Sequence, residues 1–240
     1  MNLTNVKWRN YLLSGLPSDV WKIWEKALQP IYLSAGDVVS ETGVTPAHVY
    51  FPHSAIISLT HLLRSGESID VAMIGNEGMV GVSIFLGNVS TSTQAIVLRS
   101  GLAYRLNASF FRHACDSSVH AKQIMLRYTQ SLISQISHVG ACTRHHSLEQ
   151  QICRWLSHYL DRSDDLYVQC TQEQLSHILG VRRERIAPVA TYFQAQGLIS
   201  YSRGKIQILN REAILGRACE CYGTINAEYH HLYLTHTSQS

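Results

Sequence analysis

Between Ala121 and Thr143 the residues Ala121, Met125, Tyr128, Leu132, Ile136, Val139 and Thr143 follow one another at steps of 4, 3, 4, 4, 3 and 4. Such steps keep one stripe of a helix apolar, and the pattern is close to a heptad seam with one stutter. A helix from about Ser117 to Thr143 is about 40 Å long at ~1.5 Å per residue. A rod of that length either crosses a domain or pairs with a copy of itself. Met125, Tyr128, Leu132, Ile136 and Val139 are therefore candidate dimer-seam residues. The other reading is a core helix packed on its own chain.

The rod separates two different patterns. Before it, from Ile31 to about Leu106, short runs rich in Val, Ile, Leu and Tyr are divided by Gly, Asn and Ser: IYL, DVVS, HVYF, AIISLTHLL, IDVAMI, AIVLRS and LAYRL. Turn signals about every ten residues predict an antiparallel sandwich or barrel. A short amphipathic helix, SDVWKIWEKAL, precedes them, with Ser18 or Asp19 as its cap. After the rod, Ser147 and Thr171 each stand three residues before a glutamine, at Gln150 and Gln174, and each opens an apolar helical run. LYVQC reads as a short strand. LISYSRGKIQIL alternates around Arg203-Gly204-Lys205, as a hairpin does. REAILGRACECY reads as a final helix, with a loose tail after about Ala227.

Charge is concentrated rather than abundant. The net charge is only +3, yet residues 182–211 carry six basic side chains against the single acid Glu184. Arg182, Arg183 and Arg185 crowd the start of one helix, where the macrodipole disfavours cations by a few tenths of a kcal/mol each. A solvated face gives no reason for them; an anionic partner does. The layout from Thr171 to Gly197 is helix, tight turn at Gly180, helix, and the hairpin follows. This is a winged helix-turn-helix order, in which the second helix enters the DNA major groove N-terminus first. An arginine can grip guanine O6 and N7 with both prongs, and Glu184 can accept from the cytosine amino group. Thr171 and Gln172 at the preceding helix start can hold phosphate, and Arg203 and Lys205 at the hairpin tip can touch the neighbouring backbone.

The stretch TQEQLSHILGVRRERIAPVATYFQAQGLISYSRGKIQIL resembles the DNA-binding half of the Crp/Fnr superfamily of bacterial transcription regulators, and PHSAIISLTHLLRSGESIDVAMIGNEGMVGVSIFLG is similar to its sensor rolls. The resemblance implies an α+β fold: an antiparallel β-roll of cyclic-nucleotide-binding type over residues 1–110, a long dimerisation helix over 111–144, a winged helix-turn-helix over 145–225 and a tail over 226–240. It puts Arg183 and Glu184 where the family's base-reading pair sits, and Arg182 and Arg185 where phosphate or flanking bases are touched. Pro188 departs from the pattern, at a position where family members often carry another base-contacting arginine. In a helix interior a proline there removes the bond to the Glu184 carbonyl and kinks the helix, typically at ~3 kcal/mol.

The resemblance also makes a cyclic nucleotide the obvious effector, and the residues argue against it. The family's ribose-binding Gly-Glu place reads Gly81-Val82 here, and the phosphate-binding Arg place falls near Ser92-Thr93. No arginine lies between Ser65 and Leu98, and a buried phosphodiester needs a charged partner. We expect no tight cyclic AMP binding. Gly78, Gly81, Val82, Ser92 and Thr93 remain the candidate effector pocket, for an effector the sequence does not identify. Residues 1–114 hold no cysteine, which closes the iron–sulfur route in the sensor. Cys219 and Cys221, read as i, i+2 on one helix, diverge, and His145-His146 do not share a helix face. No metal or cofactor is expected, and the six cysteines read as free thiols in a reducing compartment.

With no run of 18 apolar residues and no signal-peptide core, the expected location is the cytoplasm. The expected partners are a pseudo-palindromic double-stranded DNA, a second copy of the chain and RNA polymerase, with no membrane; no enzymatic activity is expected. The competing classes are a β-roll metal-dependent enzyme, which needs converging His and Glu ligands, and a protein-binding adaptor.

Overall fold

The computed structural model describes residues 10–87 and 90–237, with side chains up to residue 230. The first nine residues, and the last three of the expected tail, lie outside the described residues. The chain falls into two compact units: Met1–Leu59 with Ile74–Ser134 and Ala227–Ser240, and Thr60–Met73 with Gln135–Asn226.

Most of the roll lies in the first unit, while its segment Thr60–Met73 is counted with the second. After helices α1 (Tyr11–Ser14) and α2 (Ser18–Trp24) come strands β1 (Gln29–Leu33), β2 (Val38–Ser40), β3 (His48–Pro52), β4 (Ile56–Leu62), β5 (Ser68–Ile74), β6 (Gln94–Arg99) and β7 (Gly101–Asn107), with the short helix α3 (Val82–Phe85) between β5 and β6. Every apolar run singled out in the sequence is one of these strands. They form two sheets of order β1-β7-β3 and β2-β6-β4-β5, with β1 and β3 antiparallel to β7 and β2 antiparallel to β6. Alternate residues point inward, so Leu33, Ala55, Ile57, Ile74, Val80, Val97 and Ala103 share one core. Trp24, Phe51 and Phe111 meet edge to face beside it, with centroids 5.6–6.3 Å apart. The cap of α2 differs from expectation: Pro17 stands at the N-cap and no side chain caps the helix, because Ser18 and Asp19 already lie within its first turn.

The rod is α5 (Val119–His145), preceded by α4 (Ala108–Asp116). The break between them falls at Ser117 and Ser118, whose hydroxyls bond the His113 carbonyl and the Ala121 N–H and so compete with a continuous helix. The expected dimer seam needs correcting. Met125, Tyr128, Leu132 and Val139 are buried within the protomer, and Tyr128 donates its hydroxyl to the Met79 carbonyl at 2.7 Å. Of the expected seam only Ile136 stays exposed. The apolar side chains that α5 does present are Val119, Leu126, Ile133 and Ile136. The first three recur at steps of seven, on a face next to the expected one.

The second unit contains α6 (Leu148–Asp161), β8 (Tyr167–Gln169), α7 (Gln172–Leu179), α8 (Ile186–Ala195), β9 (Ile199–Ser202), β10 (Lys205–Ile208), α9 (Arg211–Leu215) and the start of α10 (Glu220–Thr237), up to Asn226. Both predicted capping boxes are present, Ser147 with Gln150 and Thr171 with Gln174. The wing has three strands in the order β8-β10-β9. The predicted final helix is two helices, because Gly216 ends α9 and Cys219 precedes α10. The expected loose tail is also corrected: the chain stays helical to Thr237.

Candidate nucleic-acid interface

Helix α7 ends at Gly180, whose left-handed φ of 62° turns the chain sharply. Leu175, Ile178 and Leu179 of α7 and Ile186, Ala190 and Phe193 of α8 are all buried, as the helical spacing predicts, while Val189 is half-buried. This packing fixes α8 and leaves its leading end in solvent. Arg182, Arg183, Glu184 and Arg185 are all exposed there.

The leading end is not α-helical. Arg183–Arg185 form one 3-10 turn, and the α-helix begins at Ile186. This corrects the expectation for Pro188. It lies in the first α-helical turn, where backbone N–H groups lack an intrahelical partner in any case. The proline therefore breaks no α-helical bond and needs no kink. The tightening is displaced N-terminally, into the arginine turn.

The sequence separates Thr171, Gln172, Arg183 and Arg203 by up to 32 positions. The fold brings all four to one surface concavity of about 210 Å³, together with Thr191 and Gln194. The Thr171 oxygen accepts the Gln174 N–H at 3.1 Å, which leaves the hydroxyl proton free to donate outward. Arg203 sits at the hairpin tip with φ 50°, a left-handed conformation that costs a non-glycine residue roughly 1–2 kcal/mol. A strained arginine at an exposed tip points to a use for its guanidinium. Arg182, Glu184 and Arg185 border a different, open cleft of about 1050 Å³, and Arg183 borders both. Lys205 is not among the concavity's residues; its ammonium lies 3.9 Å from the centroid of the Tyr167 ring.

The candidate effector residues are accounted for differently. A Cβ at Gly78 would lie 2.6 Å from the Tyr128 hydroxyl, and one at Gly81 would lie 2.9 Å from Val49 Cγ1. The space of a side chain at either glycine is thus taken up by close packing within the protein. Val82 begins α3, Ser92 is exposed, and the Thr93 N–H donates to Thr91 Oγ1.

Sequence reasoning missed one constellation. Cys142, His146, Cys219 and Cys221 come together in the second unit. Cys219 lies outside α10, so it and Cys221 do not diverge as two residues within a helix would. The overlooked signal was a Cys-x3-His spacing at the end of α5, and the Cys-x-Cys at 219–221 was set aside on the expectation that both residues lay within one helix. Outside that group, burial pushes Cys115, Cys153 and Cys170 each up to about 12, which keeps them protonated.

A family model of the cyclic nucleotide-binding domain matches residues 30–118, and one of the Crp-like helix-turn-helix domain matches residues 150–216. The chain thus joins a domain of cyclic nucleotide-binding type to a Crp-like helix-turn-helix domain. It has the fold of a Crp/Fnr-type transcription regulator, with the α+β build expected from its sequence. Solved structures share that fold. A crp/fnr-family protein from Eubacterium rectale ATCC 33656 has a TM-score of 0.70 at 18% identity, over 87% of this chain and 98% of its own. FixK2 from Bradyrhizobium japonicum has a TM-score of 0.67 at 12% identity, over 80% and 98%. A CRP-family transcriptional regulator from Thermus thermophilus has a TM-score of 0.65 at 16% identity, over 78% and 96%. No curated protein matches the chain. Among the described residues no helix is long and apolar enough to cross a membrane.

Proposed function

We propose that this chain is a homodimeric, sequence-specific DNA-binding regulator of the Crp/Fnr type in the cytoplasm, not an enzyme, and that its roll does not respond to cyclic AMP. The observation that carries the DNA reading is the concavity shared by Thr171, Gln172, Arg183 and Arg203. It joins a helix N-terminus, the arginine turn and the wing tip, the three places from which this motif grips a duplex. Arg183 reads guanine with both prongs and Glu184 accepts from cytosine. Arg182 and Arg185 hold phosphate or flanking bases. Thr171, Gln172, Arg203 and Lys205 hold the backbone.

Self-association runs along the exposed face of α5, with Val119, Leu126 and Ile136 as its apolar contacts. A two-fold dimer then reads half-sites one helical turn, about 34 Å, apart, and RNA polymerase is its further partner at a promoter. The silence toward cyclic AMP rests on the arginine-free stretch from Ser65 to Leu98 and on glycines whose space Tyr128 and Val49 occupy.

Selection of random duplex DNA by the purified protein is the test, run beside Arg183→Ala. A palindromic motif is expected, with the variant losing roughly 1–3 kcal/mol of discrimination at one base position per half-site. Binding that is equal for all sequences and governed only by salt would overturn base reading.

A further inference from the structure

We propose that Cys142, His146, Cys219 and Cys221 hold a single zinc-type divalent cation, in a site separate from the DNA-reading surface. Cys142 lies in the last turn of α5, and the His146 N–H still bonds its carbonyl at 3.0 Å. The two residues are four apart and therefore share a face. Cys219 stands immediately before α10 and Cys221 in its first turn. The three sulfurs are buried and cluster with one another, and the histidine is half-buried.

The geometry suits one small ion. Cys142 Sγ and Cys219 Sγ are 3.4 Å apart, Cys221 Sγ and His146 Nδ1 are 3.8 Å apart, and all four donor atoms lie within 4.8 Å of one another. A tetrahedral zinc with sulfur at ~2.3 Å and nitrogen at ~2.0 Å holds its donors about 3.5–3.8 Å apart. All six cysteines are free thiols, so no disulfide competes for these sulfurs. A multi-iron cluster spreads its thiolates around several metals and calls for a wider cage.

The surroundings complete the arrangement. His146 turns Nδ1 toward Cys221, while Nε2 lies 3.1 Å from Glu220 Oε1. A carboxylate that accepts from the remote ring nitrogen fixes the tautomer and leaves the other lone pair for the metal. Three thiolates and a neutral imidazole around a dication leave one net negative charge. The buried Arg154 guanidinium acts electrostatically on Cys142 and offsets it, and the start of α10 offers its positive end to Cys219 and Cys221. Binding releases the three thiol protons to solvent. The ion would tie the end of the long helix to the beginning of the last one.

The test uses the full chain without a histidine tag, purified under reducing conditions and examined by elemental analysis and native mass spectrometry. About one zinc per chain is expected, and cobalt(II) substitution should give the visible spectrum of a tetrahedral thiolate site. Cys221→Ser and His146→Ala should lose the ion, whereas Cys153→Ser, a buried thiol outside the group, should keep it. If the ligand variants do not fold, chelation of the wild type still decides: its melting temperature should fall by several degrees and recover with zinc alone. A metal-free wild type that takes up neither zinc nor cobalt overturns the proposal. So does iron accompanied by acid-labile sulfide, or a Cys142–Cys219 disulfide in the purified protein. Duplex selection reads the DNA function separately, so either conclusion can fail alone.

Discussion

Two turns of this chain carry opposite kinds of information. The turn around Gly78–Gly81 in the roll has the glycines of a ligand cradle, yet Tyr128 and Val49 fill the space that the missing Cβ atoms leave. The turn around Gly180–Arg185 keeps Arg182, Arg183, Glu184 and Arg185 in solvent while the apolar residues on both sides are buried. Glycine signals that backbones or side chains come close, and an internal side chain can satisfy that as well as a ligand can. Charge collected at a helix start has no such internal outlet, so it is the better guide to a partner.

The contrast can be broken most forcefully at Gly78. Gly78→Ala forces a methyl against the Tyr128 ring and should cost about 1–3 kcal/mol of stability by overpacking. A thermal or denaturant melt checks it; an unchanged melt would mean the turn is open enough to take a ligand. Thr171→Ala removes the N-cap of α7 and should cost about 1 kcal/mol. It should also weaken duplex binding for all sequences alike, as fluorescence anisotropy would report. Arg203→Gly should do the reverse to stability, relieving left-handed strain by about 1 kcal/mol. The slope of log affinity against log salt should meanwhile shrink by about 1. Pro188→Ala is expected to change stability least, by under about 1 kcal/mol, because the residue lies in the first turn. A gain near 3 kcal/mol would instead mark it as a helix-interior breaker.

Much of this was legible beforehand. Each strand of the roll follows an apolar run bounded by turn residues, and Ser147 and Thr171 cap their helices as their glutamines foretell. What misled was any inference that needed to know what lies across from a side chain. The period through Met125, Tyr128, Leu132 and Val139 gave the helix correctly, but period alone does not distinguish a partner chain from the helix's own core. The proline was legible as a disturbance and not as a position, because the preceding 3-10 turn shifts where the α-helix begins. The thiol and histidine group was hidden for a similar reason. Its members are 77 positions apart at Cys142 and Cys219, and the break after α9 that lets Cys219 turn toward the others leaves only a glycine as its mark.

The 3-10 turn before α8 has a consequence for how such a protein can change over generations. None of its residues is buried, and its N-cap, Arg182, makes no side-chain capping bond. The hold on α8 comes from Ile186, Ala190 and Phe193 behind it. Replacements at Arg182–Arg185 can therefore accumulate with little penalty to folding. A lineage can revise its regulatory vocabulary there one letter at a time while the grammar of the scaffold stays fixed.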